Sequence, residues 1–502
     1  MPSISTGAAG VSVYYKLPKV MLQVLLGAAV ASAGGRARKL LLMGNKTSAG
    51  TLTADTQIYA PTSIEDGAAA GGTGAEVSLM FAAARTAEPN VSAYMMAITE
   101  AAGTKATGTF TFTGTTSTGS GDARFWIHGV LVTLAVSAGL TPTQLATALA
   151  SAINGKGTYL CATATSSLGV VTVTYRHNGL RGNFCAIRCE MDASVTGMTL
   201  AASAAYLSGG AGQDDLTAGL ATAQASVYHR ITPANFDAAA LTLVNTHVGS
   251  MGGPLVGRYE QVIACLDAKQ TLGTATTIAT GINDGLSQHL FYPSAETLPM
   301  VTAAAWAATR AIAEEEPSTN LSSMNMDVVD QYPVVLPPPL QSSYLTDSQA
   351  AAALDVGLTP IQVTANGHPY IARSITTHSR DSGGNPDTRV LDTNNPTVTQ
   401  AFAEELQTSI PDEFKGRVLV DDPVDSDDEL PPNATTPQRL KSHCVGRAVA
   451  WGKAGRLTQV DADVATWVFS LAPNAPGRAN ATMPIHPAPW FVQFSAQIRQ
   501  LS

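Results

Sequence analysis

Apolar and polar positions alternate most regularly at the two ends of the chain. Near the start, Val11, Val13, Tyr15 and Leu17 alternate with Ser12, Tyr14 and Lys16, the period-2 pattern of a half-buried strand. Near the end, Trp490, Val492, Phe494, Ala496 and Ile498 share one face, and Phe491, Gln493, Ser495, Gln497 and Arg499 share the other. Neither segment has a hairpin partner beside it in sequence. A strand left alone exposes a row of backbone N–H and C=O groups and one apolar face. Each end therefore either folds back onto its own domain or adds to the sheet of a neighbour. The pattern alone leaves both open.

Between these ends the texture changes several times. Residues 20–26 and 39–44 are apolar runs of strand length. From about 101 to 212 the chain is rich in Thr, Gly and Ser, with short alternating segments at 109–113 and 170–175. One helix is evident there: Thr141 caps, Pro142 opens, Leu145, Leu149 and Ile153 recur at four-residue spacing, and Asn154-Gly155 closes. Glycines at 71–74 and 209–212 flank the segment, which reads as an inserted, mostly β unit.

Residues 214–317 alternate in type. Helices are expected at 216–225, 236–248, 274–283 and 301–316, and strands at 227–231, 262–266 and 289–292, which argues for an α/β layer. Residues 317–341, with Pro337-Pro338-Pro339, read as a linker. Beyond it the pattern predicts strands at 361–364 and 370–377 and helices at 397–410 and 437–453, with an acidic loop at 421–429.

Composition narrows the function classes. Only 13% of the 502 residues are charged while 45% are hydrophobic. The charged share is about half the usual ~25%, a hint that partners cover much of the surface. The net charge of −9 argues against a dedicated nucleic-acid binder. The densest basic stretch, Arg36-Ala37-Arg38-Lys39, reads as a solvated turn before a strand. Five cysteines without regular spacing do not form a disulfide framework and fit a reducing compartment. Residues 21–33 imitate a signal peptide, but twenty residues, Pro18 among them, come before the run, Gln23 interrupts it, and it is too short to span a membrane.

The search for chemistry is mostly negative. No phosphate loop, dinucleotide fingerprint, nucleophile elbow or His-Glu-x-x-His occurs. Cys185 and Cys189 have a zinc-compatible spacing with His177 upstream, but no second pair follows, and on a strand both sulfurs share one face as small hydrophobes. The acidic loop lacks the glycine and ligand spacing of a calcium site and reads as solvated. No cofactor, metal or catalytic residue is assigned.

Several short segments, in order along the chain, resemble the contractile tail sheath proteins of Mu-like phages: Arg38-Lys39-Leu40-Leu41-Leu42-Met43-Gly44 after an extended arm; Leu180-Arg181-Gly182-Asn183; Gly209-Gly210-Ala211-Gly212-Gln213-Asp214-Asp215-Leu216; Ile371 to Thr377; Asp387 to Asp392; and Asn474-Ala475-Pro476-Gly477-Arg478 before the last strand. The proline-rich stretch 333–339 and the acidic loop have no counterpart in that pattern. The resemblance implies an α+β multidomain fold: an α/β sheath core (20–100 plus 213–340), an inserted outward β-rich domain (101–212), a C-terminal sheath domain (341–489), and extended N- and C-terminal strand arms (1–19 and 490–502). It implies a non-enzymatic subunit of six-fold rings around a tail tube, meeting baseplate and tail terminator proteins, located in the virion tail and assembled in the host cytoplasm, with no membrane insertion. Inter-subunit strand exchange would be carried by Val11, Val13, Tyr15, Leu17, Trp490, Val492, Phe494, Ala496 and Ile498. The competing expectations are a secreted β-rich hydrolase or adhesin, and another tail or baseplate structural protein.

Overall fold

A computed structural model describes residues 37–267, 269–316, 319–321, 337–423, 430–490 and 492. The expected strand at 20–26, the signal-like run, Val11, Val13, Tyr15, Leu17, Phe494, Ala496 and Ile498 lie outside the described residues, as does 424–429 of the acidic loop.

The chain enters through β1 (Lys39–Asn45), whose burial explains its composition. Leu40 and Leu42 pack on one side of the sheet while Leu41 and Met43 pack on the other, so a strand covered on both sides reads as a continuous apolar run. A short β2 (Ile58–Tyr59), α1 (Ile64–Gly71), α2 (Glu76–Ala87) and β3 (Ser92–Ile98) follow. The helix α2, not among the expected elements, buries Val77, Met80, Phe81 and Ala84 at helical spacing.

From the end of β3 the chain leaves for the Thr- and Gly-rich insert, which contains β4 (Lys105–Gly114), β5 (Gly121–Ile127), β6 (Val130–Val136), α3 (Pro142–Gly155), β7 (Ala162–Ser167), β8 (Val170–Asn178), β9 (Ile187–Met191) and β10 (Met198–Ala202). These form a four-stranded sheet, β10-β4-β8-β7, and a three-stranded sheet, β6-β5-β9. The helix α3 packs against both sheets and buries Leu145, Leu149 and Ile153. Its start is a complete capping box between Thr141 and Gln144.

The chain then returns through α4 (Thr217–Ala223), β11 (Arg230–Pro233), α5 (Ala238–Met251), β12 (Gln261–Cys265), α6 (Leu272–Ile282), β13 (Ser287–Phe291) and α7 (Pro299–Ala313). The alternation expected over 214–317 is present, with boundaries shifted by a few residues. An eight-stranded sheet results, in the order β15-β14-β13-β12-β11-β1-β3-β2, parallel from β3 to β14. Helices α2 and α7 cover one face; α4, α5 and α6 cover the other. Its last two members, β14 (Thr359–Val363) and β15 (Pro369–Ile371), follow α8 (Asp347–Leu354). The expected boundary near 341 therefore does not divide this sheet: Leu290 and Phe291 of β13 pair with Thr359 and Pro360. The strand expected over 370–377 stops at Ile371, because the amides of Ile375, Thr376 and Thr377 donate instead to the Thr359 hydroxyl and to the Leu391 and Ser287 carbonyls.

The remaining chain builds a second core from α9 (Asn394–Phe414), β16 (Val418–Leu419), β17 (Ala434–Thr435), α10 (Pro437–Lys453), β18 (Leu457–Thr458), α11 (Val460–Thr466), β19 (Val468–Leu471), β20 (Ala479–Thr482) and β21 (His486–Pro487). Val398, Phe402, Leu406, Cys444, Trp451 and Trp467 fill it, with Phe402 edge-on to Trp451 at 4.9 Å.

Candidate assembly interface

β19 and β20 form a two-stranded antiparallel ribbon, Val468 opposite Thr482 and Leu471 opposite Ala479. Trp467, just before it, is buried and donates its indole N–H to the Pro484 carbonyl at 2.7 Å, which anchors the ribbon's base. Phe469 leans on the second core while Val468 is 61% exposed. Among the described residues neither outer margin of this ribbon is paired. A lone two-stranded ribbon is marginal in water, and its margins carry unpaired main-chain donors and acceptors.

Two of the nine exchange residues named from sequence are described. Trp490 is buried and Val492 half-buried, and both belong to or pack against the chain's first core, which also holds Ile361 and Ile371. The Asn394 side chain holds this root by donating to the Ala488 carbonyl at 2.9 Å. The foot of the C-terminal segment is thus seated on its own chain.

The edge at which open parallel sheets take ligands is closed. The sheet order β3-β1-β11-β12-β13 reverses between β1 and β11, the point where such folds open a ligand crevice beyond the carboxyl ends of the strands. Here the insert sits over it. Arg181, on the turn after β8, reaches Glu76 at 3.0 Å and Asp214 at 2.6 Å, and also bonds Asn45 at the end of β1. Burial alone would raise the Glu76 pKa; the Arg181 and His177 charges outweigh it and hold the carboxyl below its ordinary value.

The opposite edge of the sheet carries a second buried polar seam, against α9. Arg230 and Arg310 both bond Glu314, with Arg310 at 2.7 Å. Thr397 of α9 donates to Glu314 at 3.0 Å, and Gln261 donates to Gln400 at 2.9 Å. Arg38 reaches Glu404 at 2.8 Å. The basic stretch expected as a solvated turn is thereby corrected at Arg38, which is 4% exposed. Its charge is tolerated inside because an α9 carboxylate meets it there.

The remaining chemistry candidates are dispersed. Cys185 and Cys189 line the insert's core, while His177 lies 3.7 Å from Glu100. All five cysteines are free, and among the described residues no three potential ligands gather for a metal. An open groove of about 460 Å³ between α9 and α10 contains Glu405, Glu413 and His443. There Glu405 is paired with Arg447 and Trp451, and Glu413 with Arg417. No described helix is long and apolar enough to cross a membrane.

No family model and no curated protein sequence matches the chain. Solved structures do. A sheath tail protein from Desulfitobacterium hafniense is 12% identical, covers 91% of this chain and 99% of its own, and superposes with a TM-score of 0.45. A sheath tail protein from Listeria innocua is 13% identical, with coverage of 92% and 94% and a TM-score of 0.47. The contracted-state PVC sheath complex of an extracellular contractile injection system is 9% identical, with coverage of 97% and 98% and a TM-score of 0.46. Two of these neighbours are sheath tail proteins, and the third is the sheath of a contractile injection system.

Proposed function

We propose that this chain is a structural subunit of a contractile tail sheath, polymerising around a tail tube and shortening to drive that tube through a host envelope. The observation that carries the reading is the β19–β20 ribbon: two strands, exposed on one face, with both margins unpaired among the described residues. The chain's two alternating end segments, 11–17 and 492–498, are the complementary parts. Added to a neighbour's ribbon, one on each margin, they would turn a marginal pair of strands into a four-stranded sheet shared by three subunits. The seated foot at Trp490 fits such an arm, because a strand that leaves its own body needs a fixed point of departure.

The same reading makes the subunit non-catalytic. The crevice that would serve a nucleotide is filled by Arg181 and its partners, and the sequence has no phosphate loop. Work would then come from the free-energy difference between two packings of the same subunits. Partners on this view are further copies of the chain in six-fold rings, a tube protein, and baseplate and terminator proteins at the ends.

The test is assembly of the purified full chain, imaged by negative-stain electron microscopy, beside a variant ending at Val492. Removing 493–502 spares Trp490, so the variant should keep the melting temperature of the full chain and form no tubes. Tubes from the shortened chain would overturn the reading.

A further inference from the structure

Two of the motifs noted in sequence, Leu180-Arg181-Gly182-Asn183 and Gly209 to Leu216, are brought together in space with a third element, the start of α2. Arg181 stands at the centre. Its Nε donates to Glu76 Oε1 at 3.0 Å, and its Nη2 bonds both Asp214 and Asn45. Tyr175 donates to the same Glu76 oxygen at 2.9 Å, and the Asn45 amide donates to the other at 3.3 Å. Asp214 also accepts from the Ala101 amide at 2.8 Å. Glu76, Asn45 and Tyr175 are 0% exposed, Arg181 5% and Asp214 8%. The group thus ties β1 and α2 to the insert and to both strands of chain that enter and leave it.

Those two crossings are laced together. Thr104 bridges to Ala211 and Thr107 to Ser208. Gly179 donates to the Thr104 carbonyl, and Leu180 to the Gly212 carbonyl. Asn183 and Gly210 exchange two hydrogen bonds of 2.9 and 2.8 Å. A Cβ on Gly103 would fall 1.9 Å from the Ala211 oxygen, so this glycine serves close approach of two backbones. Further out, Arg188 of the insert meets Glu296 at 2.9 Å, and Lys269 lies 4.5 Å from the Tyr206 ring. One hydrophobic core runs through Leu40, Leu42 and Met80 of the α/β layer and on into Phe110, Leu149 and Tyr175 of the insert.

We infer that Arg181, with Glu76, Asp214 and Asn45, is a clasp that welds the insert to the α/β layer, so that the two move as one rigid body and the glycine-rich crossings do not act as hinges. The inference stands apart from the assembly reading, since it concerns a single subunit.

Hydrogen exchange followed by mass spectrometry on the full chain tests it. Peptides covering 101–107 and 208–214 should be protected to within about tenfold of β1 and β4 if the crossings open only with the body as a whole. In Arg181→Gln the same peptides should exchange at least a hundredfold faster, and Asp214→Asn should give a smaller acceleration of about tenfold. Crossings that exchange orders of magnitude faster than β1 and β4 in the unaltered chain would overturn the clasp, as would unchanged protection in a folded Arg181→Gln. Should that variant fail to fold, the unaltered chain and Asp214→Asn still decide.

Discussion

Arg38, at the mouth of β1, and Glu404, in the middle of α9, form a 2.8 Å ion pair across 366 residues of chain, with side chains only 3% and 11% exposed. Two neighbours complete it. His229 Nε2 lies 3.4 Å from the other Glu404 oxygen, while His229 Nδ1 accepts from the Lys39 amide at 3.0 Å. The pair ties the second core to the eight-stranded sheet. Removing one partner strands the other charge in a buried site. Arg38→Met and Glu404→Gln are each expected to destabilise the chain by about 3–5 kcal/mol, and the double variant by less than their sum. Chemical denaturation of the four proteins checks this, and strict additivity would contradict it.

Acid should weaken the fold in two stages. His289 and His128 are buried, and burial pushes both down to about 4 from the ordinary 6.5. His289 has no hydrogen-bond partner on either nitrogen. Because the folded state binds these protons less readily than the unfolded chain, stability falls as pH drops from about 6.5 to 4, by up to about 3 kcal/mol for each ring, and changes no further below that. Glu404 acts lower. Burial opposes its charge, but His229 and Arg38 outweigh that and hold it at about 2, so its contribution fades between about 4.5 and 2. Melting temperatures of the parent and of His289→Leu across pH 7.5 to 4 should diverge, with a flatter profile in the variant.

The ribbon can be probed without touching either core. Val468→Asp places a charge on its exposed face and should shift monomer stability by no more than about 0.5 kcal/mol. Under the assembly reading it should also reduce tube formation at least tenfold in sedimentation assays. Normal tubes from Val468→Asp would count against this ribbon as the docking edge.

The insert offers a packing control. Leu149, fully buried on α3, should cost about 2–5 kcal/mol on conversion to Ala, and Thr141→Ala about 1 kcal/mol through its capping box. If the insert is clasped, Leu149→Ala should lower the single melting transition of the whole body and not create a second, earlier one. Differential scanning calorimetry distinguishes the two.

What the sequence determined by itself is local. The helix α3 was legible because Thr141, Pro142 and its four-residue apolar spacing act within one segment, and α10 because Pro437 and the turn after Lys453 bound it. Strand β1 and the alternation after Asp214 were legible for the same reason. The residues between 45 and 100 also carried a helical period at Val77, Met80, Phe81 and Ala84, which shows only once α2 is in place. Tertiary structure alone decided that Arg38 is buried, that β14 continues the sheet past the proline-rich stretch, and that Arg181 joins Glu76 and Asp214. The physical reason is that whether a charge sits in water or in a core depends on which partner arrives beside it, and these partners come from elements 105 and 366 residues away.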